Sequence, residues 1–376
     1  AFKMNKNPNQ SYYRLRFKLS GIKYILTVFI MILVLLSLPN VQSDPNDSWW
    51  NDDWLYRNDI SIDHSLVDEV LYDFPVLVDV ISLDLMNFAQ GDGDDIVFTD
   101  SSGVRLDHEI DVFDGGSGRL VAWVRVPVLS ASVDTVLYMY YGNGDCGNQE
   151  SVNAVWNSDF VMVHHLDGSG GVVDSTVNGF DGVGSGVSEV DGLIGSGQFF
   201  DSTGDEIDFG SSSLLDPGLD SWTLSLWTNV SFVDLHNMVI DYLGGSGVFL
   251  KMYNSNYFMV GDGSNLAYRY WDSNWADGSW HLISVVINRD LGVIDLYLDG
   301  VLANGAGSGN IAGFGDVSNG DSFELRGGNN GFQDELRVSS VVRNASWIST
   351  CYSNQFGPSD FYVVGAREMA SVPNQA

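Results

Sequence analysis

The chain has 376 residues, 44% hydrophobic and 12% aromatic, with 17 basic against 49 acidic side chains and a formal net charge of −32. That apolar content excludes a disordered polymer, and a surface so poor in Lys and Arg excludes a nucleic-acid partner, whose phosphates need cationic neutralisation. Six basic residues precede position 44 in a segment without acid, so the remainder carries 11 basic against 49 acidic residues, with Lys251 its one lysine. Such a surface suits high salt or a calcium-rich exterior, and an ordinary acidic exported protein fits equally well.

Residues 1–43 are expected to be a signal peptide. Basic residues through Lys23 precede the apolar run YILTVFIMILVLLSL (24–38), then Pro39 and the small residues of VQS (41–43). The run is shorter than the roughly 20 residues that span a bilayer. The expectation is therefore a secreted, cell-surface protein. Membrane contact would come only through an uncleaved signal or a C-terminal anchor. N-x-S sequons at Asn46, Asn229 and Asn344 are the expected glycosylation sites, and Cys146 and Cys351 permit one disulfide in an exported chain.

From 44 to 145 the chain reads as strands between turns: FPVLVDV (74–80), DIVFTD (95–100), LVAWVRVPVL (120–129) and TVLYMYYG (135–142). The polar stretch 146–159 reads as a linker. A second series fills 160–366, including FVMVHHL (160–166), SWTLSLWTNVSF (221–232), GVFLKMY (247–253), SWHLISVVIN (279–288) and QDELRVSSVV (333–342). Asp299-Gly300 is its strongest hairpin signal. One short helix is predicted at 345–355, and 367–376 is a tail. The fold class expected is all-β, two β-sandwich domains.

The chemistry of catalysis is incomplete. In DEIDFGS (205–211), strand alternation puts Glu206 and Asp208 on one face, as a glycosidase pair requires, but the next position on that face is Gly210. There is no G-x-S-x-G elbow, phosphate loop or H-E-x-x-H. Adjacent His164 and His165 point to opposite faces of a strand and cannot share a metal. The loop DSTVNGFDG (174–182) gathers Asp174, Asn178 and Asp181, oxygen donors of the kind calcium takes, although such residues also make turns.

The motifs HHLDGSGGVVDSTVNGFDG (164–182), GLIGSGQFFDSTGDEIDFG (192–210), SWTLSLWTN (221–229), LYLDGV (296–301) and DELRVSSVVRNASWI (334–348) resemble, in order, a LamG-like (concanavalin A-like) jelly-roll module. Residues 49–159 resemble the DUF2341-type domain that precedes such modules in archaeal and bacterial surface proteins. The resemblance makes GDEIDFG a structural strand. It implies structural Ca2+ at Asp174, Asn178 and Asp181, joined by Asp334, although Val177 stands where the family has Gly. It also hints at an interdomain Cys146–Cys351 disulfide. The function expected is non-catalytic glycan or surface-protein binding. Tyr268, Tyr270, Trp271 and Trp275 of YRYWDSNWADGSW (268–280) are the candidate ligand-binding aromatics, with core packing the alternative for half of them. A carbohydrate-active enzyme whose carboxylates converge from distant strands, or a structural spacer, are the rival readings.

Overall fold

The strand Arg119–Leu129 buries Leu120, Val121, Ala122, Trp123 and Val124 in succession, so both its faces are covered. A half-exposed antiparallel strand would alternate apolar and polar residues; this one is the centre of a layer packed on two sides. The computed structural model describes residues 49–371 apart from 203, 232–235, 254, 328 and 329; the expected signal peptide and the Asn46 sequon lie outside them. The fold is mostly β, in several antiparallel sheets, as expected. Among the described residues no helix is long and apolar enough to cross a membrane.

The described residues form four sheets. In the first sandwich, Arg119–Leu129 runs between Leu71–Ile81 and His108–Asp114. This three-stranded sheet faces a larger one built around Tyr56–Ile62 and Thr135–Tyr141. The second sandwich pairs an inner sheet, centred on Trp222–Val230 and Gly331–Ser339, with an outer sheet. The outer sheet runs from Leu266–Tyr270 through Ser255–Asp262, Ser246–Tyr253 and His236–Leu243 to Glu324–Arg326, Glu206–Asp208, Gly182–Ser185 and Gly171–Val172. Trp222, Leu224 and Leu226 meet Phe258, Val260 and Leu325 between these two sheets.

The expected boundaries need correction at both ends of the second sandwich. After Ser339 the chain returns to the first one. The predicted helix forms as Ala345–Phe356, capped by Asn344, and packs Trp347 edge-on against Phe74 at 4.9 Å. Tyr362–Val364 and Glu368–Met369 then add to Tyr56–Ile62, so the first residues of the expected tail are a strand of the first sandwich. The stretch 146–159 is likewise no loose linker. Its polar side chains serve the fold: Ile110 N donates to Glu150 Oε2, and Trp156 Nε1 donates to Glu109 Oε2. Polarity suggested a connector because sequence does not show which polar groups have buried partners.

Candidate functional site

The outer sheet has one face in the core and one turned outward. Along Ser255–Asp262 the pleat buries Phe258 and Val260 and sends Tyr257 and Met259 out. The register pairs Tyr257 with Tyr270 and Met259 with Tyr268, which share that outward face. The three tyrosine rings gather at centroid separations of 5.2 Å (257–270), 5.7 Å (268–270) and 6.5 Å (257–268). Tyr268 is 45% exposed. Next to them, Phe249 stands in register with Met259 and packs 6.0 Å from Tyr242.

Farther across the same sheet, Ile207 enters the core while Glu206 and Asp208 look outward. Arg326 Nη2 binds Glu206 Oε2 at 2.8 Å and Glu324 Oε2 at 2.7 Å, and Asp208 Oδ1 accepts from Gly210 N. Partial burial raises the Glu324 carboxyl above its ordinary value, opposed by Arg326 and assisted by Glu206. These carboxylates form a structural clasp around one guanidinium.

The other polar concentration is buried between the sandwiches. His165 Nδ1 lies 2.7 Å from Glu335 Oε1, and its Nε2 lies 3.3 Å from Glu109 Oε2 on the first sandwich. Glu109 also accepts from Trp156 Nε1 and Ser175 Oγ. Arg337 pairs with Glu335 at 2.6 Å and sits 4.1 Å over the Trp123 ring. Burial opposes charge on His165, but Glu335 and Glu109 overcome it and hold the imidazole well above its ordinary range. Burial likewise opposes charge on Glu335, and His165 and Arg337 hold it low. Burial pushes Asp111 up to about 7 and Asp334 well up, with the Glu335 charge adding to both. Ligand atoms of Asp111, His165 and Glu335 lie within 4.8 Å of one another, as do those of Asp63, His64 and Asp134 at the surface. In the buried group His165 and Glu335 are spent on each other and on Glu109 and Arg337, an ionic seam, while Asp111 Oδ2 beside them is buried without a hydrogen-bond partner.

With this geometry in view, two family models match, in the expected order: the domain of unknown function DUF2341 over residues 92–181, and the concanavalin A-like lectin/glucanases superfamily over 201–349. The chain carries a DUF2341 domain and a concanavalin A-like domain. No curated protein sequence matches it. Solved structures similar to it include the binding domain of Paraclostridial Mosquitocidal Protein 1, at 17% identity and TM-score 0.45, covering 52% of both chains. The botulinum neurotoxin serotype G binding domain aligns at 14% identity and TM-score 0.44, over 52% of this chain and 51% of that one. The serotype D ligand binding domain in complex with N-acetylneuraminic acid aligns at 15% and 0.45, over 55% and 53%. The chain thus spans about half the length of these structures.

The predicted residues of the concanavalin A-like domain divide. Tyr268 and Tyr270 are on the outward face, whereas Trp271 (6% exposed) and Trp275 (0%) are core residues. Tyr257, the third ring, was missed because only the strand register brings it there. Asp174 does not offer a calcium site: Val163 N and Thr176 N fill Oδ1, and Thr176 Oγ1 and Phe180 N fill Oδ2. Asp181 Oδ1 accepts from Asp174 N, and Asn178 Nδ2 donates to Val161 O. Asp334 serves a different loop, accepting from Ile194 N at 2.9 Å. Among the described residues Asp174, Asp181 and Asp334 are not gathered into one cluster, and both oxygens of Asp174 are taken by hydrogen bonds from Val163 and from its own loop.

The predicted disulfide is also corrected. Cys146 and Cys351 are free, the first packed beside Trp54 and Tyr140 and the second against the core of the first sandwich. Of the described sequons, Asn229 is half-buried within Trp222–Val230, and Asn344 is exposed with its amide engaged by Trp347 N and Glu69 Oε2.

Proposed function

We propose that this is an exported, cell-surface binding protein whose concanavalin A-like domain takes up glycans on its outward sheet face without cleaving them. The observation that carries this reading is the cluster of Tyr257, Tyr268 and Tyr270. Tyrosine offers a flat apolar ring to the C–H face of a sugar and a hydroxyl to its polar rim. The strongly acidic surface opposes polyanionic ligands by long-range repulsion, so neutral glycans are the favoured class. The outward carboxylates Glu206 and Glu324 are held on Arg326, which supports binding over hydrolysis.

A glycan array probed with the wild-type protein and with Tyr257→Ala and Tyr268→Ala tests the assignment. Binding to neutral glycans that both variants weaken at least tenfold supports it. Binding unchanged by either variant, or release of reducing sugar from bound glycan, refutes it.

A further inference from the structure

Alternation along Trp222–Val230 sends Trp222, Leu224 and Leu226 into the second sandwich and turns Thr223 and Ser225 the other way. The register sets Thr223 beside Ser339 and Ser225 beside Arg337. Between this polar face and the helix Ala345–Phe356 lies a cavity of about 20 Å³, whose lining includes Ser225, Arg337, Ser339, Arg343, Cys351 and Gln355. That is room for one water molecule or one small ion.

The lining holds more free donors than free acceptors. Arg343 is 8% exposed, its guanidinium carbon 4.6 Å from the ring centre of Phe160 and 4.0 Å from that of Trp347. Its bonds are long, 3.3 Å from Nε to Ser339 Oγ and 3.4 Å from Nη1 to the partly exposed Asp159, and its Nη2 is buried without a partner. Arg337 spends Nε and Nη2 on Glu335, and Gln355 Oε1 accepts from Trp227 Nε1. Arg337 Nη1 and Gln355 Nε2 are left with no acceptor among the described residues. Glu335 also lines the cavity, but His165 and Arg337 take one oxygen each. Burial keeps the Cys351 thiol protonated, so it adds no negative charge.

A buried guanidinium needs a compensating charge as well as an acceptor, and a water supplies only the acceptor. The space is too small for a carboxylate or a phosphate. We propose that this cavity binds a chloride ion between Arg337 and Arg343, fastening the C-terminal helix to the second sandwich. Ser339, whose oxygen already accepts from Arg343, keeps its O–H free to donate to the ion. The acidic surface does not bar its entry, because salt screens that repulsion beyond about 10 Å at 0.1 M. The site does not rest on the glycan-binding reading.

Thermal melting at neutral pH, with sodium gluconate exchanged for sodium chloride at constant ionic strength, is the first test. The melting temperature should rise by about 2 °C or more and then saturate, and Arg343→Gln should remove the rise. No rise, or one that a folded Arg343→Gln variant keeps, overturns the assignment. Crystals of the wild-type protein grown in sodium bromide give a second readout that needs no variant. An anomalous difference peak beside Arg343 Nη2 is expected. Density there without an anomalous signal means that the cavity holds a water only, and overturns the assignment.

Discussion

His165 lies face to face with Trp123, ring centroids 5.7 Å apart and planes 12° from parallel, with one ring in each sandwich. The stack places the imidazole between Glu335 on its own domain and Glu109 across the seam. The two domains are therefore fastened by charge as well as by apolar area, and they cluster as one unit. Replacing His165 by Ala removes the cation shared by two buried carboxylates, leaving Glu335 to Arg337 and Glu109 to the neutral donors Trp156 and Ser175, a loss of about 3–5 kcal/mol where a buried pair is broken. Urea unfolding of His165→Ala should show that loss; a change below about 1 kcal/mol would mean the seam holds without the imidazole.

The same seam sets a pH dependence. His165 is raised in the fold, so its contribution is complete below its ordinary 6.5 and fades as pH climbs through the folded value. Asp111, raised by burial from 3.8 to about 7, acts in the same sense: ionising it costs stability progressively from pH 4 to pH 7. Glu335 and Glu109 are lowered, so their contribution is complete above 4.5 and fades on acidification. Melting temperature measured from pH 4 to 9 should peak on the acid side of neutrality. Asp111→Asn should flatten the decline between pH 4 and 7, and an unchanged slope would contradict the assignment.

The C-terminal segment completes the first sandwich. Trp347, Phe361 and Tyr362 are part of its core, and Tyr362 Oη both accepts from Asp79 N and donates to Asp79 O. Truncation after residue 344 should abolish cooperative unfolding of the DUF2341 domain, seen as lost dispersion in its amide NMR spectrum. A truncated chain that keeps a dispersed spectrum for residues 49–145 would show the segment to be dispensable.

Burial raises the Cys351 thiol to about 11, and burial with Asp95 nearby raises Cys146. Both should react slowly with iodoacetamide at pH 8 in the native state and readily in denaturant. Mass spectrometry without reductant should count two free thiols, and a mass short by two hydrogens would indicate a bridge.

Trp275 and Tyr268 separate core from surface within one thirteen-residue stretch. Trp275→Ala should cost about 3–5 kcal/mol by leaving a cavity. Tyr268→Ala should stay within about 1 kcal/mol, as surface changes do. Equal losses in denaturant melts would contradict the placement.

Strand existence was legible because side chains alternate every two residues and turn residues punctuate the runs. By that rule His164 and His165 face opposite ways. In the fold, His164 packs on Phe209 inside the second sandwich and His165 reaches the first. The Ala345–Phe356 helix was readable for similarly local reasons, and the order of the two domains from the family resemblance their motifs carry.

What each face meets was not readable. Alternation sends Tyr270 and its neighbour Trp271 to opposite faces, but nothing local says which face is open and which is core, or aligns Tyr257 with Tyr270. Asp174 looks like an ion ligand until Val163 and Phe180 are seen to fill its oxygens, whereas Arg343 attracted no notice until its burial left one nitrogen without an acceptor. Alternation belongs to the backbone and is written residue by residue. Burial and hydrogen-bond satisfaction belong to pairs such as His165 and Glu335, 170 positions apart, and only packing decides which of them meet.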